Sequence, residues 1–480
     1  MYHLELPGIR GEFLLAATYT ESEMTDQSSQ LGTAPIRSLL IKMSAPAMVG
    51  LMVQALYNLT DTIFVGQGVG SLAIAGIAIS FPIQIMVMAL AQLFGIGCSS
   101  IVSRRLGAGD REEARHALGN LFTLVIFFSA IIAVFGSLYL PSLLKLFGAT
   151  EGILPYAADY SRTILIGTPF FMFAMATNAV VRAEGNARVA MWTMIISGLL
   201  NIVLDPLFIY GFHLGIRGAA LATVLAQATT VVYLIYYFFG GRSSLTTRPH
   251  HFWLSRSIVW EATSIGLGSG LRSAASSFTV IILNTSLAAY GGDIAIATFG
   301  VINRMIMFLF LPMFGIVQGM MPIVGYNHGA DRPERVRQVI RLSNIVATAM
   351  TAGAALLLLA IPALLLRIFT QDPEVISLGA PAIRIIILAF PTVGFQVVAS
   401  GMYQALGKAL PALVLALLRQ VILLIPLILL LPRFLGLPGI WISFPIADGA
   451  AALITGWMMV VLLRQMRPHH LESEFPDSSN

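Results

Sequence analysis

The sequence of 480 residues is poor in cysteine and poor in charge. Its single cysteine, Cys98, excludes an internal disulfide and a cysteine-based metal site. No phosphate-binding loop ending in Gly-Lys-Ser or Gly-Lys-Thr is present, so we expect no ATP-driven activity. Charged residues make up only 11% of the chain, and the net charge of +5 lies mostly in loops. We expect no nucleic-acid partner.

Apolar residues, in contrast, are abundant. They make up 57% of the chain, and the mean hydropathy is +0.83. This composition is typical of a polytopic helical membrane protein, and at about 35–40 residues per span and loop the length admits about twelve helices. We predict an all-α polytopic protein of the inner (plasma) membrane, surrounded by the lipid bilayer and monomeric.

Basic and weakly charged loops alternate along the chain. Because basic loops stay in the cytoplasm, this alternation predicts that both termini are cytoplasmic. The basic set consists of Arg104, Arg105, Arg111 and Arg115, then Arg182 and Arg188, the central linker, Arg332, Arg335, Arg337 and Arg341, Lys408, and Arg464 with Arg467.

The chain also repeats itself with a period of about 221 residues. Residues 106–113 recur imperfectly at 328–334, and Phe94-Gly95-Ile96 recurs as Phe314-Gly315-Ile316. Six spans in each half would insert both halves the same way, which predicts two six-helix lobes related by a pseudo-two-fold axis along the membrane normal. The predicted segments are a disordered cytoplasmic N-terminal tail (1–34), the N-terminal lobe (35–240), a cytoplasmic linker (241–257), the C-terminal lobe (258–464) and a cytoplasmic tail (465–480).

Polar residues inside apolar spans indicate where a site lies. Asn201 and Asp205 are four residues apart, so a helix places both on one face. A carboxylate in hydrocarbon costs roughly 2.5–3.5 kcal/mol, and by default it marks a functional site. Pro206 removes a backbone donor and tends to kink the helix. The alternative is that Asp205 lies near an aqueous end, because Tyr210 follows closely.

The first span ends in a second carboxylate, Asp61, and Pro46 precedes it by fifteen residues, so a bend at the proline would move the Asp61 end. Two carboxylates brought together in a medium of low dielectric constant need a shared proton or a cation between them. A hard cation such as Na⁺ at Asp61, Asn201 and Asp205 and a proton relay fit equally well. We predict one oxygen-rich set on helices of the first lobe, made of Asp61, Asn178, Asn201, Asp205 and Thr223.

The second half lacks this carboxylate pair. Asn284 occupies the position that corresponds to Asp61, and Arg419 and Asp448 lie on neighbouring spans. Arg419 and Asp448 are interpreted as a buried structural pair, with a second-lobe polar site that includes Asn284 as the alternative. If Arg272 and Arg304 face a cavity, they would disfavour purely cationic substrates.

Three weaker motifs receive simple interpretations. The glycines of residues 266–270 lack the spacing of a dinucleotide loop and predict close helix packing. The pair His250-His251 is interpreted as part of a solvated loop rather than a metal site. The charged run of residues 111–115 is interpreted as a solvated helix start.

Over roughly residues 35–465, the sequence resembles the MATE (multidrug and toxic compound extrusion) transporters, in particular the prokaryotic branch with DinF-like and MepA-like exporters. The pieces that carry the resemblance are Asp61-Thr62-Ile63-Phe64-Val65-Gly66, Leu106-Gly107-Ala108-Gly109-Asp110, Arg182-Ala183-Glu184-Gly185-Asn186, and Asn201 to Asp205-Pro206. The resemblance implies a V-shaped pair of lobes and the export of drugs or other amphipathic, mainly cationic small molecules in exchange for Na⁺ or H⁺, with no cofactor besides that ion.

The resemblance also implies roles for single residues. Asp61 matches the first-helix aspartate of the family's cation site, and Asn201 and Asp205 match its fifth-helix pair. Asn178 and Thr223 match polar positions on the fourth and sixth helices. Two alternatives remain: a lipid-linked sugar flippase of the same superfamily, and a membrane-embedded enzyme, which the lack of a long outside loop disfavours.

Overall fold

The computed structural model describes residues 28–465, and within this range the chain is helical without strands. Ten helices are long and apolar enough to cross a membrane, and the pair Pro373–Ile386 and Phe390–Ala405, bent by 57°, supplies an eleventh span. The longest helix, Arg256–Gly329, has 74 residues. At 1.5 Å per residue it would be about 110 Å long, several times the roughly 30 Å of a hydrocarbon core, so it must fold back.

The long helix reverses at Gly292, whose φ of 63° and ψ of −162° are not helical. A positive φ of this kind costs glycine little, since it has no Cβ. The two arms on either side of Gly292 therefore count as two spans. The described residues then contain twelve spans, which confirms the predicted fold class.

The first lobe is built from seven helices in chain order. They are α1 (Ile36–Gly68), α2 (Ser71–Gly107), α3 (Arg111–Leu138), the short α4 (Leu140–Leu146), α5 (Leu154–Ala183), α6 (Ala187–Pro206) and α7 (Gly215–Phe239). A π-helical turn, Leu207–Gly211, follows α6. Asp110 and Asn186 cap α3 and α6, because each side chain accepts a hydrogen bond from a backbone N–H of the first turn.

A linker with a short 3₁₀ turn, Pro249–Phe252, leads into the second lobe. The second lobe contains α8 (Arg256–Gly329), α9 (Pro333–Ala360), α10 (Pro362–Phe369), α11 (Pro373–Ile386), α12 (Phe390–Ala405), α13 (Ala409–Leu417), α14 (Ile425–Leu430), α15 (Pro432–Leu435) and α16 (Leu437–Gln465). A second π-helical segment, Leu418–Leu424, joins α13 to α14. In each lobe a π-helical segment thus interrupts the fifth span next to a proline, Pro206 in the first lobe and Pro426 in the second.

The lobes meet where backbones approach each other directly. A Cβ on Gly266 would overlap the carbonyl oxygen of Leu93, and one on Gly97 would overlap that of Ala262. The predicted close packing of the glycine run is therefore confirmed at Gly266. Near the Arg-rich loops, Gly107 and Gly329 leave equally little room against the backbone of the opposite lobe. These glycines hold α2 against both arms of α8.

The two halves of α1 have different partners. Its first half reaches the second lobe, where Gly319 and Gly315 leave room for the backbones of Ser44 and Met48. Its second half packs on α6 of its own lobe, where Gly198 faces Val53 and Tyr57. The contact between lobes thus lies on the side of the Arg-rich loops.

Residues 28–33 form a further helical turn ahead of α1. Leu31 is fully buried, and its carbonyl accepts a hydrogen bond from Asn327 Nδ2 at 2.8 Å. Arg332 and Arg335 bind the carbonyls of Gly32 and Ala34. The prediction of a disordered tail up to residue 34 is therefore wrong for this piece, because its end is anchored to the second lobe. Residues 1–27 of that predicted tail, and residues 466–480 of the other, lie outside the described range.

The turn of the linker docks on α3. Asn120 Nδ2 donates to the carbonyls of His251 (3.1 Å) and Trp253 (3.0 Å), and Thr123 Oγ1 donates to that of Phe252 (2.8 Å). His251 is fully buried. The interpretation of His250-His251 as a solvated loop is therefore wrong for His251, because α3 supplies donors for the carbonyls of the turn.

We predict that Gly266→Ala lowers the melting temperature of the detergent-solubilised protein, since the added methyl must displace the backbone of α2 at a cost of about 1–3 kcal/mol. Gly456→Ala on α16 is the matched control, because nothing lies within 4 Å of the Cβ it adds. Thermal unfolding followed by tryptophan fluorescence measures both. Equal melting temperatures for Gly266→Ala and the parent would contradict the close contact.

Candidate functional site

The buried amide of Asn201 connects two helices of the first lobe. Its Nδ2 donates to Asp205 Oδ1 one turn along α6 (3.2 Å) and to Thr223 Oγ1 on α7 (3.3 Å). Both hydrogens of the amide are thereby used. Asp205 is 0% exposed and Asn201 only 2%, so the surrounding helices shield both side chains from solvent.

Asp61 brings a second carboxylate to this cluster from α1. It lies within hydrogen-bonding reach of Asp205, and it is half-buried whereas Asp205 is sealed. Three buried oxygens of the cluster have no hydrogen-bond partner among the described residues: Asp61 Oδ1, Asn201 Oδ1 and Asp205 Oδ2. Buried polar atoms normally have partners, so an orphaned set of acceptors is a place for a donor or a cation.

α1 packs closely on α6 beside the carboxylates. The bare backbone of Gly198 on α6 faces Tyr57 and Val53, which lets α1 approach. Tyr57 and the buried Tyr160 are close enough to interact electrostatically with both aspartates. Asp61 is the more exposed of the two carboxylates.

The two predicted hinge prolines lie in different local structures. α1 passes through Pro46 as one continuous helix of 33 residues, with no break in this structure. Pro206 is the last residue of α6, and the π-helical turn Leu207–Gly211 begins directly after it. Turns of π type are frequent at functional sites, and this one follows Asp205 immediately.

Asn178 lies apart from the carboxylates. Its Oδ1 accepts a hydrogen bond from Thr193 Oγ1 (2.9 Å), and Thr193 precedes Asn201 on α6 by eight residues, about 12 Å of helix. Asn178 and Thr193 line a cavity of about 140 Å³ together with Gln54, Tyr57, Arg182, Gln227 and Gln318. The structure thus brings together four of the five predicted residues and places the fifth on a neighbouring cavity.

The second lobe contains a larger cavity, of about 430 Å³. Arg419 forms an ion pair with the buried Asp448 on its wall, and Gln396 donates to the Asp448 carbonyl (2.9 Å). Arg272 also lines the cavity and has no carboxylate partner among the described residues. Asn284 is not among the lining residues, so the structure does not bring it to Arg419 and Asp448.

Glu184 is a buried carboxylate to which the sequence analysis assigned no role. It is 2% exposed and accepts hydrogen bonds from Ser243 Oγ (2.8 Å), the Ser244 N–H (3.0 Å) and Tyr237 Oη (3.2 Å). It therefore ties the start of the linker to the ends of α5 and α7. Burial raises the pKa of the Glu184 carboxyl to about 7, and the hydrogen bonds oppose this rise. Only its place in the motif at residues 182–186 could have drawn attention to it.

Twelve apolar spans in two lobes, with a buried acidic cluster between spans, define a polytopic membrane transporter. The MatE family model matches residues 46–207 and 269–430, and the chain belongs to this family of multidrug efflux transporters. The two matches begin 223 residues apart, at 46 and 269, which confirms the internal repeat.

Relatives match over nearly the whole chain. The multidrug export protein MepA of Staphylococcus haemolyticus (strain JCSC1435) is 26% identical over 427 residues, covering 89% of this chain and 94% of that protein. MepA of Staphylococcus aureus (strain MSSA476) is 27% identical over 436 residues, covering 90% and 95%. These relatives are transporters rather than enzymes.

Solved structures match equally fully. The MATE multidrug transporter DinF-BH, solved in complex with a small-molecule ligand, is 43% identical, with a TM-score of 0.83 and coverage of 90% of this chain and 96% of that one. A MOP superfamily transporter from Pyrococcus furiosus is 27% identical, with a TM-score of 0.86 and coverage of 92% and 98%. Together with its apolar spans, this shared two-lobe architecture shows that the chain is a multi-pass membrane protein.

We predict that Glu184 makes stability depend on pH. Its pKa of about 7 in the folded protein exceeds its ordinary value of 4.5, so its stabilising contribution is complete below pH 4.5 and is lost as the pH rises through 7. Across this window the loss amounts to roughly 3 kcal/mol at most. Glu184→Gln should flatten that part of the pH profile.

The measurement is the melting temperature between pH 5 and pH 8 for the parent, Glu184→Gln and the exposed control Glu151→Gln. The parent and the control should lose stability with rising pH relative to Glu184→Gln. Parallel profiles for all three proteins would show that the Glu184 carboxyl does not titrate in this window.

Proposed function

We propose that this protein is a secondary antiporter that exports amphipathic, mainly cationic organic compounds in exchange for inward Na⁺ or H⁺. The observation that carries the proposal is the set of three orphaned buried oxygens on Asp61, Asn201 and Asp205. Two carboxylates within hydrogen-bonding reach, in a medium of low dielectric constant, repel each other unless positive charge is shared between them.

The same donors suit either ion. Asp61, Asp205, Asn201 and Thr223 offer only oxygen atoms, which are the ligands of a hard cation such as Na⁺. A single proton between the two carboxylates would also remove the repulsion. In either case the charge enters past Asp61, the half-exposed member of the pair.

Coupling requires that the two conformations of the transporter differ in their affinity for the cation. Asp61 and Asp205 lie on different helices, so an ion bound to both holds the end of α1 against α6. When the ion leaves, repulsion favours movement of α1, and Pro46 is the position where α1 lacks a backbone hydrogen bond. A related MATE structure has been solved in a bent conformation, which supports such a movement here.

The substrate would bind between the lobes. DinF-BH, at 43% identity, was solved in complex with a small-molecule ligand, which supports a small organic substrate here. The cavity beside Asn178 joins apolar Phe171 and Met175 to the amides of Gln54 and Gln227, a mixture suited to amphipathic molecules. Thr193 on its wall lies twelve residues before Asp205, about 18 Å along α6, so one helix contacts both sites.

We further propose that the protein acts as a monomer in the inner (plasma) membrane with both termini in the cytoplasm. The Arg-rich loops support this orientation. With that orientation, the glycine contacts between the lobes lie on the cytoplasmic side.

One observation favours a second candidate, a flippase for a lipid-linked sugar or a related amphipathic anion. Arg272 faces the cavity of the second lobe without a carboxylate partner among the described residues, while Arg419 is neutralised by Asp448. The related Pyrococcus furiosus transporter is described by a binding pocket of reverse polarity that suggests a different function. Translocation of a labelled lipid-linked precursor in liposomes would distinguish this candidate from drug export.

We predict that Asp205→Asn and Asp61→Asn each reduce gradient-driven export of a cationic dye from proteoliposomes by at least about tenfold. Each substitution removes one of the two charges whose neutralisation couples the cation to the movement of α1. The measurement is dye efflux under an imposed Na⁺ gradient and, separately, under an imposed pH gradient.

The matched control is Asp293→Asn, which removes an exposed carboxylate of the second lobe. It should export the dye as the parent does under the same gradient. Full activity of Asp205→Asn under a gradient that drives the parent would refute the proposed mechanism.

A further inference from the structure

A cluster of imidazoles and one carboxylate lies where the linker docks on α3, outside the acidic site. Glu112, His116, His250 and His251 each offer a ligand atom, and these atoms all lie within 4.8 Å of one another. Glu112 and His116 are four residues apart on α3, so they share a face. The two other histidines come from the turn Pro249–Phe252.

The turn is held in place independently of this cluster. Asn120 and Thr123, on the next turns of α3, bind the carbonyls of three consecutive residues, His251, Phe252 and Trp253. A Cβ on Gly119 would overlap the carbonyl of His251, so glycine is needed for this approach. Phe252 stacks on Phe122 at 6.0 Å. The ligand atoms are therefore brought together by a prebuilt scaffold.

The hydrogen bonds show that one of the four residues, His251, positions a ligand and is not itself a ligand. The Arg248 N–H donates to His251 Nδ1 (2.7 Å), so in the neutral ring the proton is on Nε2. That Nε2 lies 2.8 Å from Glu112 Oε1 and donates to it. His251 therefore orients the carboxylate, as partners of metal-bound carboxylates commonly do.

His116 and His250 offer ring nitrogens to a metal, and Glu112 offers its carboxylate. Oε2 of this carboxylate also accepts a hydrogen bond from Arg115 Nη1 at 3.4 Å. His250 Nε2 lies 3.1 Å from Glu112 Oε1, and the ring of half-buried His116 stands 5.5 Å from that of His250. We propose that Glu112, His116 and His250 form a binding site for a Zn²⁺-like divalent cation, which fastens the linker between the lobes to α3.

The donor set selects the class of metal. Two imidazoles and a carboxylate suit Zn²⁺ and neighbouring transition metals, whereas Mg²⁺ and Ca²⁺ prefer oxygen ligands alone. Metal bonds of about 2.0–2.1 Å in a tetrahedron require ligand atoms roughly 3.3 Å apart. From distances within 4.8 Å, small rotations of exposed His250 and Glu112 are sufficient. Three protein ligands leave the fourth position to water.

The test uses the purified, tag-free protein, stripped with EDTA and exchanged into buffer at pH 7.5. Titration calorimetry with ZnCl₂ should show one bound Zn²⁺ per chain, and Mg²⁺ should give no binding. Bound Zn²⁺ should raise the melting temperature, because it binds the folded protein preferentially. His116→Ala and His250→Ala should each weaken Zn²⁺ binding by more than about tenfold and remove the thermal shift.

His328→Ala is the matched control, since it removes an exposed histidine elsewhere on the chain. The double substitution His469→Ala with His470→Ala tests the other histidine pair, which lies outside the described residues. Both should bind Zn²⁺ as the parent does. Absence of one-to-one binding in the parent, or binding unchanged in His116→Ala and His250→Ala, would overturn the proposal. Equal melting temperatures of all variants without metal verify that they fold.

Discussion

Two carboxylates on different helices meet in a medium that does not tolerate their combined charge, and the arrangement of the first lobe depends on that constraint. Asp205 is sealed from water, and Asp61 reaches it from α1. The amide of Asn201 donates hydrogen bonds to Asp205 and Thr223, and its oxygen remains available as an acceptor. A proton or a cation would therefore stabilise the buried acceptor oxygens of the cluster that have no hydrogen-bond partner.

The rest of the fold positions α1 for this encounter. Backbone contacts at glycines fix the lobes to each other at one end, near the Arg-rich loops. The first half of α1 belongs to this contact, whereas its second half packs on α6. Pro46 lies in the half that touches the second lobe, so a movement that starts at Asp61 reaches the contact between lobes along one continuous helix. The linker is fastened separately, by Glu184 and by the turn docked on α3.

Sequence reasoning went furthest where helical periodicity decides the outcome. The spacing of Asn201 and Asp205 placed them on one face, and the length and repeat predicted twelve spans in two lobes. The sequence does not show how far one helix is shifted along its axis relative to another. Asn178 was therefore grouped with Asn201, although its partner Thr193 lies about 12 Å from Asn201 along α6. Burial that depends on tertiary docking was also missed. Leu31 and His251 lie in polar segments, and their burial depends on contacts with residues distant in sequence, such as Asn327 and Asn120.

The central claim is that one cation, shared by Asp61 and Asp205, competes energetically with the exported compound. By linkage, that cation must weaken substrate binding by the same factor by which the substrate weakens binding of the cation. The most direct measurement is the dissociation constant of a fluorescent cationic dye, determined by polarisation on the purified protein as Na⁺ and pH are varied one at a time. In the parent, dye affinity is expected to fall when the concentration of the coupling ion, Na⁺ or H⁺, is increased. This dependence should disappear in Asp205→Asn. Dye affinity that is independent of both ions in the parent would contradict the central claim.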